Sequence, residues 1–311
     1  MKIKRSGQTS QTIRASWIDR SALYMMLLPG IILLVLFQYI PKFGIILAFK
    51  NFRYDLGIFG SKWCGLDNFK IFFQTPDAWL ITRNTLLYNL VFIFLGLVLS
   101  VTLAIAFNEI RGKMFAKTCQ TIILMPHFLS YVIVAYLAFA FLSIENGVLN
   151  KTILPMLGMK PVNWYSESKY WPFILVFVRM WKTVGYNSIV YLAAIAGIDK
   201  SYYEAAQLDG ANKWQQIIHI TLPGIRGTIG LLFIMGVGGL LSSGVEQIWL
   251  LRTPGNMSLA DTLDVYVLRI GIQGGQFGYA TAIGLIQGVV GLVLVVVCNR
   301  ICKKITEVGL W

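Results

Sequence analysis

Charged residues are scarce in this sequence, and acidic residues are the scarcest of them. Asp, Glu, Lys and Arg make up 13% of the 311 residues, whereas soluble domains carry roughly 25%. Hydrophobic residues make up 56%. This composition excludes an ordinary soluble domain and predicts a membrane protein. The formal net charge of +13 indicates a basic face against anionic lipid rather than a nucleic-acid partner.

Residues that bind metals or form disulfides are also few. The chain has two histidines and four cysteines, without zinc-ligand spacing. Cys64 is expected outside the membrane and the other three cysteines near the inner ends of spans, so no disulfide framework is predicted. A membrane-embedded enzyme would need a nucleophile–base pair or a metal cluster within the spans. The two histidines and scattered acids supply neither, which disfavours that class.

Long apolar runs are what the sequence has instead. Six of them are long enough to cross about 30 Å of hydrocarbon, which takes roughly 20 helical residues. Proline at positions 29 and 41 predicts kinks in the first. We place the spans near 22–48, 85–107, 119–142, 171–198, 227–246 and 277–298.

The density of Lys and Arg between the spans predicts the orientation. With the N-terminus inside, the inner segments hold 14 basic residues in 73 positions, and the outer segments hold 10 in 94. This moderate bias predicts a multi-pass protein of the cell membrane with both termini in the cytoplasm. It also places the long polar stretch 199–226 in the cytoplasm.

That polar stretch has the local signals of helix, glycine turn and helix. Ser201 followed by Glu204 predicts a capping box, and Gly210 suits the left-handed conformation that ends a helix. A second helix is predicted over 212–219, with three apolar side chains on one face. We expect this elbow to lie at the membrane surface and to contact a soluble partner.

The same stretch resembles the EAA loop of binding-protein-dependent ABC importer permeases. The shared pattern is Glu204-Ala205-Ala206, three residues, Gly210, nine residues, and Ile220-Thr221-Leu222-Pro223, with Asp209 before the glycine. In that family the loop is the coupling helix that docks on a cytoplasmic ATPase. The resemblance assigns ATPase coupling to Glu204, Ala205, Ala206, Asp209 and Gly210.

Other stretches resemble the oligosaccharide or complex-polysaccharide permeases of carbohydrate uptake transporter family 1. They are 108–111, 124–130, 261–269 and 278–282. The chain departs from the usual pattern at Val265–Arg269, where members more often have Thr-Tyr-Val-Tyr-Arg. The resemblance runs over nearly the whole chain.

The resemblance implies the fold, the partners and the cofactors. The fold is an all-α integral membrane protein, a type I ABC importer permease with six transmembrane helices and a cytoplasmic coupling helix. The partners are a second, different permease, two ATPase subunits, an extracellular solute-binding protein, a saccharide and membrane lipid. ATP and Mg²⁺ bind the ATPase, and this chain binds no cofactor; it has no Gly-x4-Gly-Lys-Ser/Thr sequence.

The predicted organisation has four parts. Residues 1–21 form a cytoplasmic tail, and 22–84 form the first transmembrane helix with an extracellular loop. Residues 85–298 form the core permease domain around the coupling loop 199–226. Residues 299–311 form a second cytoplasmic tail.

The fourth predicted span carries the residues expected to meet a substrate. Ionisable residues inside a membrane usually face the bundle interior or a water-filled cavity. We expect the translocation path to be lined or flanked by Arg179, Trp181, Lys182, Tyr186 and Asn187. The alternative is that Arg179 and Lys182 pair with Glu109, Glu145 or Glu246, or bind backbone carbonyls.

Two other features have structural interpretations. His127 is expected to be a hydrogen-bonded packing residue, and Gly284, Gly288 and Gly291 are expected to allow close helix packing. A second function class stays open at this point, an ion-coupled secondary transporter of a small polar solute. It would need intramembrane carboxylates, whereas the clear interior charges are basic.

Overall fold

The computed structural model describes residues 17–110 and 112–306. Contacts within the chain define two compact units, which divide between Ile46 and Leu47. Of the two predicted tails, residues 1–16 and 307–311 lie outside the described residues. The outer loop that was predicted to follow the first span belongs to the second unit.

The described chain is almost entirely helical. In chain order the α-helices are α1 Trp17–Leu34, α2 Gly57–Gly60, α3 Asp67–Gln74, α4 Asp77–Glu109, α5 Lys113–Phe128, α6 Tyr131–Leu142, α7 Leu154–Met156, α8 Trp171–Ala196, α9 Lys200–Leu208, α10 Lys213–Gln216, α11 Leu222–Gly224, α12 Arg226–Gly238, α13 Val245–Leu251, α14 Met257–Ala260, α15 Leu263–Leu268 and α16 Phe277–Thr306.

Short segments of other types join these helices. The π-helical turns are Val35–Tyr39, Leu149–Ile153, Ile217–Thr221 and Arg269–Gln273, and the 3₁₀ segments are Ile40–Phe49 and Ser168–Tyr170. Two short antiparallel strands, β1 Lys50–Asn51 and β2 Lys62–Trp63, pair with each other.

The first predicted span is the apolar helix Leu23–Phe49, of 27 residues. The α-helix runs through Pro29 without a break. Its helix type changes only at Val35, first to a π turn and then to a 3₁₀ segment that contains Pro41.

The third predicted span is broken rather than continuous. The α5 and α6 helices meet at 99°, because Leu129 and Ser130 take extended backbone angles between them. Pro126 lies in the last turn of α5, where it removes a backbone donor. Ser130 then caps α6 by accepting a hydrogen bond from the Ile133 amide. The span predicted over 119–142 is therefore a pair of helices joined by a bend.

The fifth predicted span was too long at its C-terminal end. The α12 helix ends at Gly238, not near 246, and a non-helical segment of 239–244 precedes α13. At its N-terminal end, α10–α11 and α12 form a pair bent by 58°. Glycine is a poor helix former, and the run Gly236, Gly238, Gly239 falls where the helix stops.

The number of spans depends on how broken helices are counted. Among the described residues three helices are long and apolar enough to cross alone, and up to five if each bent pair is one span. The three are Leu23–Phe49, Asp77–Glu109 and Phe277–Lys304. The α8 helix is 26 residues long but contains polar residues that lower its hydropathy. The count of six therefore stays a prediction.

The centre of the second unit is the packing of α8 against α4 and α5. Positions of α8 that recur every three or four residues are buried, including Leu175, Val178, Lys182 and Gly185. At Gly185 the backbones of α8 and α5 are in close contact, since a methyl group at this position would lie 2.3 Å from the carbonyl oxygen of Ile123 in α5.

This contact predicts the effect of Gly185→Ala. Alanine is the better helix former by about 1 kcal/mol, but the obstacle is a backbone atom, and overpacking of this kind costs about 1–3 kcal/mol. We expect a net loss of stability, measured as a lower unfolding temperature of the purified protein.

The matched control is Gly284→Ala in α16. A methyl group at Gly284 or Gly288 would meet no other described side chain or neighbouring backbone within 4 Å. The expected close packing at these two glycines is therefore not found within this chain; it occurs at Gly291, where a methyl would lie 2.9 Å from the Gly238 oxygen. Gly284→Ala should leave the unfolding temperature unchanged or raise it, and an equal loss in both variants would contradict the packing explanation.

Candidate functional site

A cavity of about 430 Å³ lies between α4, α8 and α12. His127 at the end of α5 and the segment 239–244 complete its wall. Amide and hydroxyl side chains are among its lining residues: Asn89, Ser100, Thr183, Asn187 and Ser242. Such groups can donate and accept hydrogen bonds without a strong field, which suits a hydroxyl-rich ligand.

Arg179 is the charged side chain that lines this cavity. Its Nη1 atom donates to the Tyr131 hydroxyl at 3.2 Å, and its guanidinium carbon lies 5.5 Å from the centre of the Phe92 ring. Arg179 therefore places a formal positive charge on the cavity wall, and no carboxylate is among the described lining residues.

Gly244 leaves the space that Arg179 occupies. A methyl group at this position would lie 3.1 Å from Nη1 of Arg179. Its backbone also has a φ of +81°, which other residues adopt only at a cost. The segment before α13 is therefore adapted to the guanidinium group.

Lys182 lies three residues from Arg179 but does not line the cavity. It is 7% exposed, and its Nζ donates to the carbonyl oxygens of Pro126 at 3.3 Å, His127 at 2.8 Å, and Leu129. These carbonyls lie at the break between α5 and α6, where helical partners are missing. The ammonium group replaces the lost hydrogen bonds. For Lys182, this is the alternative from the sequence analysis in which the side chain binds backbone carbonyls.

None of the acidic partners considered for these cations forms an ion pair with them within 4.0 Å among the described residues. Glu109 at the end of α4 pairs instead with Lys213 of α10, at 3.0 Å. That pair connects a core helix to the polar elbow.

The remaining predicted path residues fall on different faces of α8. Asn187 lines the cavity with Arg179. Trp181 lies in a separate apolar groove between α4, α5 and α8. Tyr186 stacks on the His127 ring, with 4.1 Å between the centroids and 6° between the planes. The structure thus brings Arg179 and Asn187 together and separates Trp181 from them.

Residues that the sequence interpretation missed hold the segment 239–244 against the cavity. Asn89 donates to the Leu240 carbonyl at 2.8 Å. Asp264 accepts from the Ser243 amide at 2.7 Å and the Ser242 hydroxyl at 3.0 Å. Gln287 donates to the Leu241 carbonyl at 2.7 Å and to Asp264 at 3.0 Å. Non-helical backbone within a membrane needs such partners. The sequence signal for these residues was their polarity within otherwise apolar runs.

The elbow begins with a different cap from the predicted one. Asp199 caps α9 by accepting a hydrogen bond from the Ser201 amide at 2.9 Å. This bond holds the pKa of the Asp199 carboxyl below its usual range. The capping box predicted at Ser201 and Glu204 is absent, since Glu204 lies past the first turn. A capping box occurs instead at Asn212 and Gln215, which starts α10.

The rest of the elbow is as expected. Gly210 ends α9 with a φ of +82°, and the Tyr203 hydroxyl contacts the Thr221 hydroxyl at 3.0 Å, which ties α9 to the returning chain. The second helix is α10, followed by the π turn Ile217–Thr221.

The elbow presents a surface that the described residues leave uncovered. Four of the five residues assigned to coupling are exposed, and Ala206 is half-buried. Two large apolar side chains are also uncovered, with Leu208 89% and Trp214 73% exposed. Exposed apolar side chains rimmed by polar ones are typical of protein–protein interfaces.

Comparison with known proteins identifies the family. Residues 93–306 match the binding-protein-dependent transport system inner membrane component. The chain belongs to this family. The permease is 38% identical over 294 residues to the polygalacturonan/rhamnogalacturonan transport system permease protein YteP of Bacillus subtilis, covering 94% of this chain and 91% of YteP.

Two solved structures have the same fold. The first is a bacterial alginate ABC transporter in complex with alginate pentasaccharide-bound periplasmic protein, with a TM-score of 0.86, 38% identity, and coverage of 94% of this chain and 98% of that chain. The second is a bacterial ABC transporter involved in the import of the acidic polysaccharide alginate. Its TM-score is 0.85 and its identity 39%, and the match covers 93% of this chain and 98% of that chain. They confirm the all-α ABC importer permease fold.

The family also confirms the predicted class of function. The permease is a multi-pass inner-membrane component of an ABC importer and is a transport subunit, not an enzyme. The names of its relatives agree with the predicted oligosaccharide or polysaccharide branch.

Proposed function

We propose that the permease lines the path of an acidic oligosaccharide through an ATP-driven importer. The observation that carries this proposal is Arg179, a cation on a cavity whose described lining includes no carboxylate. A guanidinium group in a site with little water binds a carboxylate through charge-assisted hydrogen bonds. Asn187, Asn89 and Thr183 offer neutral partners for the sugar hydroxyls.

The relatives support an acidic substrate. One acts in transport of polygalacturonan and rhamnogalacturonan, and a similar structure belongs to an importer of the acidic polysaccharide alginate. A guanidinium group on the cavity wall agrees with such ligands. An ion-coupled secondary transporter is disfavoured, because the family works with a binding protein.

The proposed assembly has the partners that the resemblance implied. A second, different permease completes the path, and an extracellular solute-binding protein delivers the saccharide. Two ATPase subunits bind ATP and Mg²⁺, while this chain binds no cofactor. The elbow docks on an ATPase through Glu204, Ala205, Ala206, Asp209 and Gly210, so the elbow and both termini are cytoplasmic.

The test of the path is Arg179→Gln in vesicles that contain the full complex and the loaded binding protein. Loss of a charge-assisted hydrogen bond should lower uptake of a uronate oligosaccharide roughly tenfold. ATP hydrolysis stimulated by the binding protein should persist, because the elbow is untouched. Uptake per ATP hydrolysed is the measured quantity.

The matched control is Arg53→Gln. Arg53 is 64% exposed and pairs only with Asp55 at 2.7 Å, so this variant should transport normally. Normal uptake by Arg179→Gln would refute the proposed contact, and so would a parallel fall in uptake and ATP hydrolysis, which indicates a defect of assembly.

A further inference from the structure

His127 occupies an unusual place for a packing residue. It lies at the end of α5, beside the helix break, and it lines the same cavity as Arg179. Its Nδ1 is buried and makes no hydrogen bond to any residue that the structure describes. Buried polar atoms in folded proteins nearly always have a partner. Packing among the described residues therefore does not satisfy this ring.

Two residues of α8 fix His127 in position. The Tyr186 ring lies parallel to the imidazole at 4.1 Å, which sets the ring plane. Lys182 holds the His127 carbonyl at 2.8 Å, which sets the backbone. Because Lys182 and Tyr186 are four residues apart, they lie on one face of the helix. A side chain held at both ends is pre-organised for contact with a ligand.

The chemistry of the imidazole suits a saccharide. A neutral histidine has one donor and one acceptor nitrogen, so a ring nitrogen at the cavity can bind a hydroxyl group of a sugar unit. Arg179 supplies the charge that a carboxylate needs, and His127 supplies hydrogen bonds of neutral character. The two side chains therefore divide the recognition of one acidic sugar.

We propose that His127 is a saccharide-contacting residue of the path, and that Tyr186 and Lys182 position it. This inference rests on the proposed function, since it takes the cavity to be the saccharide path. It replaces the interpretation of His127 as a packing residue. It also gives Tyr186 a role in the path through His127.

The chain has two histidines, which permits a direct test. In the assembled complex with ATP and vanadate, diethylpyrocarbonate modification of each histidine is followed by mass spectrometry, with loaded or empty binding protein. We expect the oligosaccharide to abolish modification of His127 and to leave His219 unchanged. His219 is an exposed residue of the elbow, with Nδ1 3.0 Å from the Gln215 oxygen, and serves as the internal control.

Two outcomes would overturn the inference. Equal modification of His127 with loaded and empty binding protein would show that the saccharide does not contact it. Absence of modification in both states would show a ring enclosed by protein, which is a packing residue. Modification of His127 that the saccharide suppresses supports the proposal.

Two substitutions provide an independent readout. His127→Gln keeps a donor and an acceptor, whereas His127→Leu keeps neither. We expect uptake to fall roughly tenfold in His127→Leu and clearly less in His127→Gln, with stimulated ATP hydrolysis retained in both. Equal uptake by the two variants contradicts the proposal.

The failure of this inference is distinguishable from failure of the proposed function. If wild-type vesicles import the uronate oligosaccharide and His127→Leu imports it equally well, only the role of His127 is wrong. If wild-type vesicles fail to import any uronate oligosaccharide, the proposed substrate class is wrong.

Discussion

Glu204→Lys is expected to reduce uptake by at least about a hundredfold. Glu204 is exposed on α9, next to the uncovered Leu208 and the turn at Gly210. If this surface docks on an ATPase, a lysine places a like charge where an opposite one is expected, which costs several kcal/mol. Each factor of ten in affinity corresponds to about 1.4 kcal/mol, so the ATPase should dissociate from the complex.

The measurements are uptake and the amount of ATPase that purifies with the permease. Glu145→Lys is the matched control, because Glu145 is exposed and lies in a segment predicted to be outside the membrane. We expect both quantities to stay normal in the control and to fall together in Glu204→Lys. An ATPase that still purifies with Glu204→Lys, together with normal uptake, would refute the docking surface.

Lys182→Met is expected to prevent assembly of a stable permease. The side chain is similar in length and apolar, so it fills the space but leaves the carbonyls of Pro126, His127 and Leu129 without their donor. Each unsatisfied buried group costs about 1–3 kcal/mol. The sum is a large part of the total stability of an ordinary domain, about 5–15 kcal/mol.

The measurement is the yield and the unfolding temperature of the purified protein. Lys182→Arg keeps the charge but has a planar group with a different reach, so it should retain part of the stability. Lys169→Met is the surface control, since Lys169 is 67% exposed and should tolerate the change. If Lys182→Met unfolds at the wild-type temperature, the three carbonyls do not depend on the ammonium group.

The elbow could be predicted from sequence because its signals are local. The left-handed conformation at Gly210 follows from the absence of a β-carbon, and the exposure of Glu204 follows from the polar stretch around it. The cap was misplaced by two residues, from Ser201 to Asp199. Both residue types cap helices well, and the backbone angles that choose between them are not visible in a sequence.

The cavity could be predicted only in part. Arg179 and Asn187 were identified because polar residues are costly in a membrane span. Trp181 was grouped with them by proximity in sequence, but two residues along a helix turn it by about 200°. The role of Lys182 depended on a break in α5–α6 that the apolar pattern conceals, since the sequence 119–142 stays hydrophobic through the bend.

The sequence by itself determined the membrane class, the family and the helix–glycine–helix elbow, because hydropathy and a motif of fixed spacing act over short stretches of chain. The tertiary structure alone decided which polar side chains share a cavity and which replace missing backbone hydrogen bonds. The physical reason is that these roles depend on where helices stop and how closely they pack. The Leu129 carbonyl receives its hydrogen bond from Lys182, and the space beside Gly244 is filled by Arg179. Both partners are more than 50 residues away in the chain.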